Sequence, residues 1–242
     1  MKKIILSLCF AALSICPAAA ENWIPLPSRD PIFIDTDSYA KEGDLATICM
    51  KEDFGNGPII FTLAFRTSDR SYKTMRIVIP ETDGPREIHS GQQNWEKIGP
   101  RTFGKNLYTH FIENPIPHFE NPRWLAIWQD QKKAGTTMYL ERNSLSYRDG
   151  YATFYFKVAA PSPAAGTVFS IYRVKMDMAY KKVQALSITN YGADGRVTAH
   201  GAGDRIRVKI DDDTPMKKLY DYINDELTSG RLPNLTRPVE GA

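Results

Sequence analysis

The chain repeats itself, and no other property limits its folding so much. The run Ile32-Phe33-Ile34-Asp35-Thr36-Asp37-Ser38 matches Met138-Tyr139-Leu140-Glu141-Arg142-Asn143-Ser144 at an offset of 106 residues, apolar on apolar and acid on acid. The match continues without a gap through Ala46-Thr47 and Ala152-Thr153 to Lys51 and Lys157. A second block pairs Tyr72-Lys73-Thr74-Met75 with Tyr180-Lys181-Lys182-Val183 at an offset of 108. A third pairs Ile98, Thr102, Lys105 and Leu107-Tyr108 with Ile210, Thr214, Lys217 and Leu219-Tyr220 at an offset of 112. Trp23 and Trp128 open the two halves, one residue out of step. Collinear blocks with a slowly growing offset are what tandem duplication leaves after small loop insertions. Two similar units are therefore expected.

Each unit reads as strands followed by a helix. Lys41-Glu42-Gly43-Asp44 and Tyr147-Arg148-Asp149-Gly150 are turns between runs rich in β-branched and aromatic residues, a hairpin signal. Tyr151, Thr153 and Tyr155 alternate with Ala152, Phe154 and Phe156, so this strand should be interior to its sheet. Further strands are expected at Ile59–Arg66, Lys73–Ile79, Val168–Asp177 and Lys182–Thr189. Thr214 as N-cap and Pro215 at the first helical position precede Met216, Leu219, Tyr220, Ile223 and Leu227 at helical spacing. Thr102 caps the counterpart, with Phe103, Leu107, Phe111 and Ile112 as its stripe. That order predicts an α+β chain: two tandem units, each an antiparallel β-sheet followed by a C-terminal α-helix. The units are placed at residues 21–114 and 123–230. Three prolines make 115–122 a stiff linker, and 231–242 reads as a loose tail.

Residues 1–20 have the pattern of a secretory signal peptide: Lys2-Lys3, an uncharged apolar run from Ile4 to Cys16, then Ala18-Ala19-Ala20. Ile15 before Cys16 is too bulky for a lipoprotein leader, so no lipid anchor is expected, and no later segment is long enough for a transmembrane span. The net charge is +3, and losing Lys2 and Lys3 with the leader leaves +1. No basic excess remains to point to nucleic acid. After cleavage Cys49 is the only cysteine, unable to form an internal disulfide. Its setting, Ala46-Thr47-Ile48-Cys49-Met50, favours a sequestered thiol buried in a strand over intermolecular pairing.

The two halves resemble divergent members of the surface-adhesin protein E family, small exported bacterial domains. Trp23, Phe33-Ile34-Asp35 and Ser38 fit its opening, and Tyr139-Leu140-Glu141 with Ser144 fits it again. Asp177, Lys181-Lys182 and Tyr191 with Asp194-Gly195-Arg196 match the middle. Trp95, Ile98-Gly99-Pro100 and Leu107-Tyr108 resemble the close, while Ile210 and Leu219-Tyr220 keep less of it. The family pattern has a cysteine after the mid-domain Asp and another in the last helix. Here Met178 follows Asp177 and the helix has none, so helix docking must rest on apolar burial. The resemblance implies an exported protein of the periplasm or cell surface and, for some relatives, adhesion to host-matrix proteins.

Chemistry is sparse. His89, His110, His118 and His200 are widely separated, without metal-ligand spacing. Asp211-Asp212-Asp213 precedes a helix, where capping explains it. Gly192 to Gly195 and Gly201 to Gly203 lack the Lys-Ser/Thr of a phosphate loop. No catalytic centre, metal or cofactor is expected. Aromatic residues crowd the second half, and Tyr147, Trp124 and Trp128 are the candidate binding residues. The expected function is therefore non-catalytic, adhesin-like binding of a protein or cell-surface partner, host matrix included. The alternative is a periplasmic carrier of a small apolar ligand between the units.

Overall fold

The structure, a computed structural model, describes residues 21–26, 31–90, 94–100, 102–130, 135–159 and 166–230. The expected signal peptide and tail lie outside the described residues. The chain divides into two compact units, residues 1–108 and 109–242, ahead of the proline-rich stretch where the sequence places the boundary.

The first unit is a seven-stranded antiparallel sheet. β1 (Trp23–Pro25), β2 (Ile32–Glu42), β3 (Leu45–Asp53), β4 (Pro58–Arg66), β5 (Ser71–Ile79) and β6 (Arg86–His89) lie in sequence order, and β7 (Glu96–Lys97) pairs with β5. The second unit does the same with β8 (Trp124–Gln129), β9 (Thr137–Arg148), β10 (Tyr151–Ala159), β11 (Phe169–Asp177), β12 (Lys182–Tyr191) and β13 (Val197–Ala202), with β14 (Val208–Lys209) on β12.

The ladders give a residue-by-residue equivalence. Leu45 faces Arg66 and Tyr151 faces Asp177; Arg66 then faces Ser71 and Asp177 faces Lys182. The second sequence block, at offset 108, is therefore out of register, because Ser71 corresponds to Lys182. The shift comes from the connection after β10, which is five residues longer than the one after β3. Trp23 corresponds to Trp124, not Trp128, since these two face Asp35 and Glu141. The first and third blocks are in register. Thr102 and Thr214 both cap through their hydroxyls, to the Lys105 and Lys217 amides at 3.3 Å. Tyr108 and Tyr220 donate to the carbonyls of Thr67 and Met178.

Both copies share one irregularity. Residues 36–39 face the single Ile48, and residues 142–145 face the single Phe154. Such a bulge orphans ladder groups, and a serine satisfies them. Ser38 donates to the Asp35 carbonyl (2.6 Å) and accepts from the Cys49 amide (2.7 Å); Ser144 donates to the Glu141 carbonyl (2.7 Å) and accepts from the Tyr155 amide (2.9 Å). The buried acid closes the device. Asp35 accepts from the Asn22 and Asp37 amides, and Glu141 from those of Arg123 and Ser144. Burial foremost raises the Asp35 carboxyl above its usual range, against those two amide bonds.

The α+β expectation is corrected: the chain is mostly β, and helices are short. In the first unit Phe103–Leu107 forms five residues of α-helix, α1, and Tyr108–Ile112 widens into a π turn. Gly104 weakens the start, and Pro115 and Pro117 stop propagation. Among the described residues no roofing helix closes that unit. Only α2 (Pro215–Thr228) has length, and it lays Leu219 and Ile223, both fully buried, against Phe154, Met176 and Leu140. Two packed residues of this kind contribute about 2 kcal/mol each. Arg142, in the bulge, pairs with the buried Glu226 of α2 at 3.3 Å.

Cys49 is buried in β3, but it is disulfide-bonded and not the sequestered thiol expected.

Residues 109–119 cover part of the outer face of the second sheet. His200 on β13 bonds the His110 and Asn114 carbonyls through Nε2, both at 2.8 Å, and the Thr189 hydroxyl through Nδ1 at 2.7 Å. The Ala202 amide donates to His110 Nδ1 at 2.7 Å. Phe119 packs edge-on against Trp124 and Tyr155. Because both partners of Nε2 are carbonyl oxygens, which only accept, Nε2 carries a ring proton.

Candidate functional site

A duplicated fold separates architecture from specialisation: what both copies keep, the fold needs. The lysine-on-tryptophan contact is of that kind. Lys51 Nζ lies 4.3 Å from the Trp23 ring centre, and Lys157 Nζ lies 4.6 Å from that of Trp124. Phe33 and Tyr139 stand at equivalent second positions, 5.6 and 4.8 Å from those ammonium groups. Burial holds the Lys157 amine below its usual range.

One place differs. At the hairpin end of β9, β10 and β11 lies a groove of about 410 Å³, lined by Ser146, Arg148, Asp149, Tyr151, Thr153, Arg173 and Lys175. Alternation builds it. Ala152, Phe154 and Phe156 turn to the core, so Tyr151 and Thr153 turn outward, and the register sets Arg148, Ser146, Lys175 and Arg173 beside them. Asp149 and Gly150, both at positive φ, form the tight turn that ends the groove. Lys175 Nζ lies 4.0 Å from the Tyr151 ring centre, and Arg207 lies 5.7 Å from it. Arg148 pairs with Asp149 at 3.4 Å, both well exposed. Among the described residues Arg173 and Lys175 have no ion pair. Ser146 donates to the Thr153 carbonyl, leaving its lone pairs available.

Above the groove the face turns aromatic. Phe169 stacks on Tyr191 at 4.6 Å, and burial followed by the Tyr155 charge pushes the Tyr191 phenol up to about 12. Burial also raises Tyr155, against the Arg173 guanidinium.

The three residues chosen from sequence do not converge. Tyr147 and Trp128 pack against the hydrophobic core, whereas Trp124 lies on the opposite face with Lys157 and Phe119. Sequence reading missed the groove residues. The signal was there: Arg173 and Lys175, two apart on one strand, share a face with Tyr151 and Thr153. No group of three or more metal-ligating side chains occurs among the described residues, and no helix there is long and apolar enough to cross a membrane. No family model, curated protein or solved structure matches this chain.

Proposed function

We propose that this chain is an exported, non-catalytic binding protein of the bacterial envelope, built from two divergent surface-adhesin protein E-like units. Its partner is a protein or cell surface, met through the outer face of the second sheet. The observation that carries the reading is the open groove with its three cations and three hydroxyl-bearing residues. Binding sites are concave with a few converging polar groups, and arginine and tyrosine dominate recognition surfaces.

The test is a solid-phase assay of the purified exported chain on host-matrix layers and on intact cells, with fractionation of the producing cell. Saturable retention, weakened at least fivefold by Arg173→Gln with Lys175→Gln, supports the reading. A chain recovered only from the cytoplasm, or retention indifferent to the pair, refutes it.

A further inference from the structure

We infer that the groove takes an anionic glycan, a saccharide chain bearing sulfate or uronate groups. This deepens the reading of the second unit as a binding module and rests on it.

Beyond the exposed Arg148–Asp149 pair, these cations meet the fold through aromatic contacts, Lys175 over Tyr151 at 4.0 Å and Arg173 at 6.0 Å from the Tyr155 ring centre. In the first unit the same ladder positions hold Glu42 for Arg148, Thr62 for Arg173 and Ala64 for Lys175, with Ala40 for Ser146 and Leu45 for Tyr151. Those positions are neutral or acidic in the first unit, whose own cations on this face, Arg66, Lys73 and Arg76, stand at other ladder positions. Gathering Arg148, Arg173 and Lys175 within one groove costs like-charge repulsion, and only Asp149 opposes it there. A cluster of like charges so little opposed is explained by a ligand of opposite charge.

The backbone narrows the class. Along the groove β10 and β11 are paired on both sides, so their main-chain groups are spent on their neighbours, whereas β9 past Arg142 has a strand neighbour only in β10. The floor of the groove therefore offers side chains alone, and a peptide captured through main-chain bonds would lie along the outer edge of β9, beside the groove and not in it. A saccharide needs only hydroxyl partners and countercharges, which Ser146, Thr153 and Tyr151 interleaved with the cations supply. Arg173 and Lys175 stand about 7 Å apart along β11, a spacing that charged groups on neighbouring sugar residues can match. Guanidinium forks suit sulfate and carboxylate bidentately. Nucleic acid fits less well, since single strands need open aromatic platforms and cations already lie against the Tyr151 ring.

The experiment is calorimetric titration of the full chain with a heparin-type sulfated octasaccharide and, separately, an unsulfated oligogalacturonate. Neutral dextran, poly-glutamate and a single-stranded oligodeoxynucleotide serve as comparisons. Binding of either acidic saccharide, at least tenfold tighter than any comparison and weakened tenfold or more by Arg173→Gln with Lys175→Gln, supports the inference; the two arms tell sulfate from uronate. Should that pair fail to fold, Glu42→Arg with Thr62→Arg and Ala64→Lys replaces it, and a second saccharide site must appear. Equal or tighter binding of poly-glutamate or oligonucleotide overturns the glycan. Absence of saccharide binding also overturns it, and cell or matrix retention that persists then leaves the proposed function standing alone.

Discussion

The two sheets share strand order, bulge and closing turn, yet they treat their outer faces differently. In the first unit the edge strand β6 is exposed and charged, with Arg86, Glu87 and His89. In the second, the register puts His200 where Glu87 stands, and residues 109–119 cover it. At the hairpin end the contrast reverses, the second copy showing cations where the first shows Glu42, Thr62 and Ala64. Shared features thus report how the sheet is held, and private ones report what each copy is for.

The largest effect expected tests the shared core. Leu107 and Leu219 are equivalent and fully buried, so Leu107→Ala and Leu219→Ala should each cost about 2–5 kcal/mol in urea titration followed by fluorescence. A negligible loss at Leu107 would break the equivalence at the point where α1 gives way to a π turn. Next come the bulge serines. Ser38→Ala and Ser144→Ala each orphan a strand amide and should cost about 1–3 kcal/mol; unequal costs would mean that only one bulge depends on its hydroxyl.

The third prediction concerns acid. Burial lowers both His110 and His200 below the ordinary imidazole value of 6.5, with the carbonyls of Asn114 and His110 partly restoring His200. The unfolded chain therefore takes up protons that the folded one refuses. Their contribution is complete above pH 6.5 and is lost as pH falls below it toward the depressed values. Denaturation midpoints of the second unit should drop between pH 7 and 5, and His110→Gln should flatten that limb.

The smallest effect has the opposite sign. The buried Tyr39 hydroxyl has no hydrogen-bond partner among the described residues, and its equivalent is Leu145. Tyr39→Phe should therefore raise stability, by about 1 kcal/mol. A loss on thermal melting would reveal a partner for that oxygen.

Much of this was legible beforehand. The repeat, the hairpin turns and the two threonine caps follow from local chemistry, which short runs of residues encode. The helix of the first unit was overread, because an apolar stripe at Leu107, Phe111 and Ile112 says nothing of how far a helix propagates. The groove was missed for another reason. Tyr151, Thr153 and Tyr155 look apolar alongside their alternating neighbours, and the cations that give the face its character arrive from β9 and β11. Only strand register brings them together, and register is a property of pairs of strands. Likewise Trp124 and Trp128 look alike in a line of text, but the ladder irregularity between Ala126 and Trp128 helps send them to opposite faces.

Residues 109–119 carry a practical lesson about severing this protein. The proline run acts as a clasp stitched to the sheet through His200, Ala202 and Phe119. Proteolysis just upstream of Arg123 would strip that clasp away, wetting Thr189 and freeing the imidazole to charge. A fragment of the second half that begins at Thr109 keeps its lining; one that begins at Arg123 tears it.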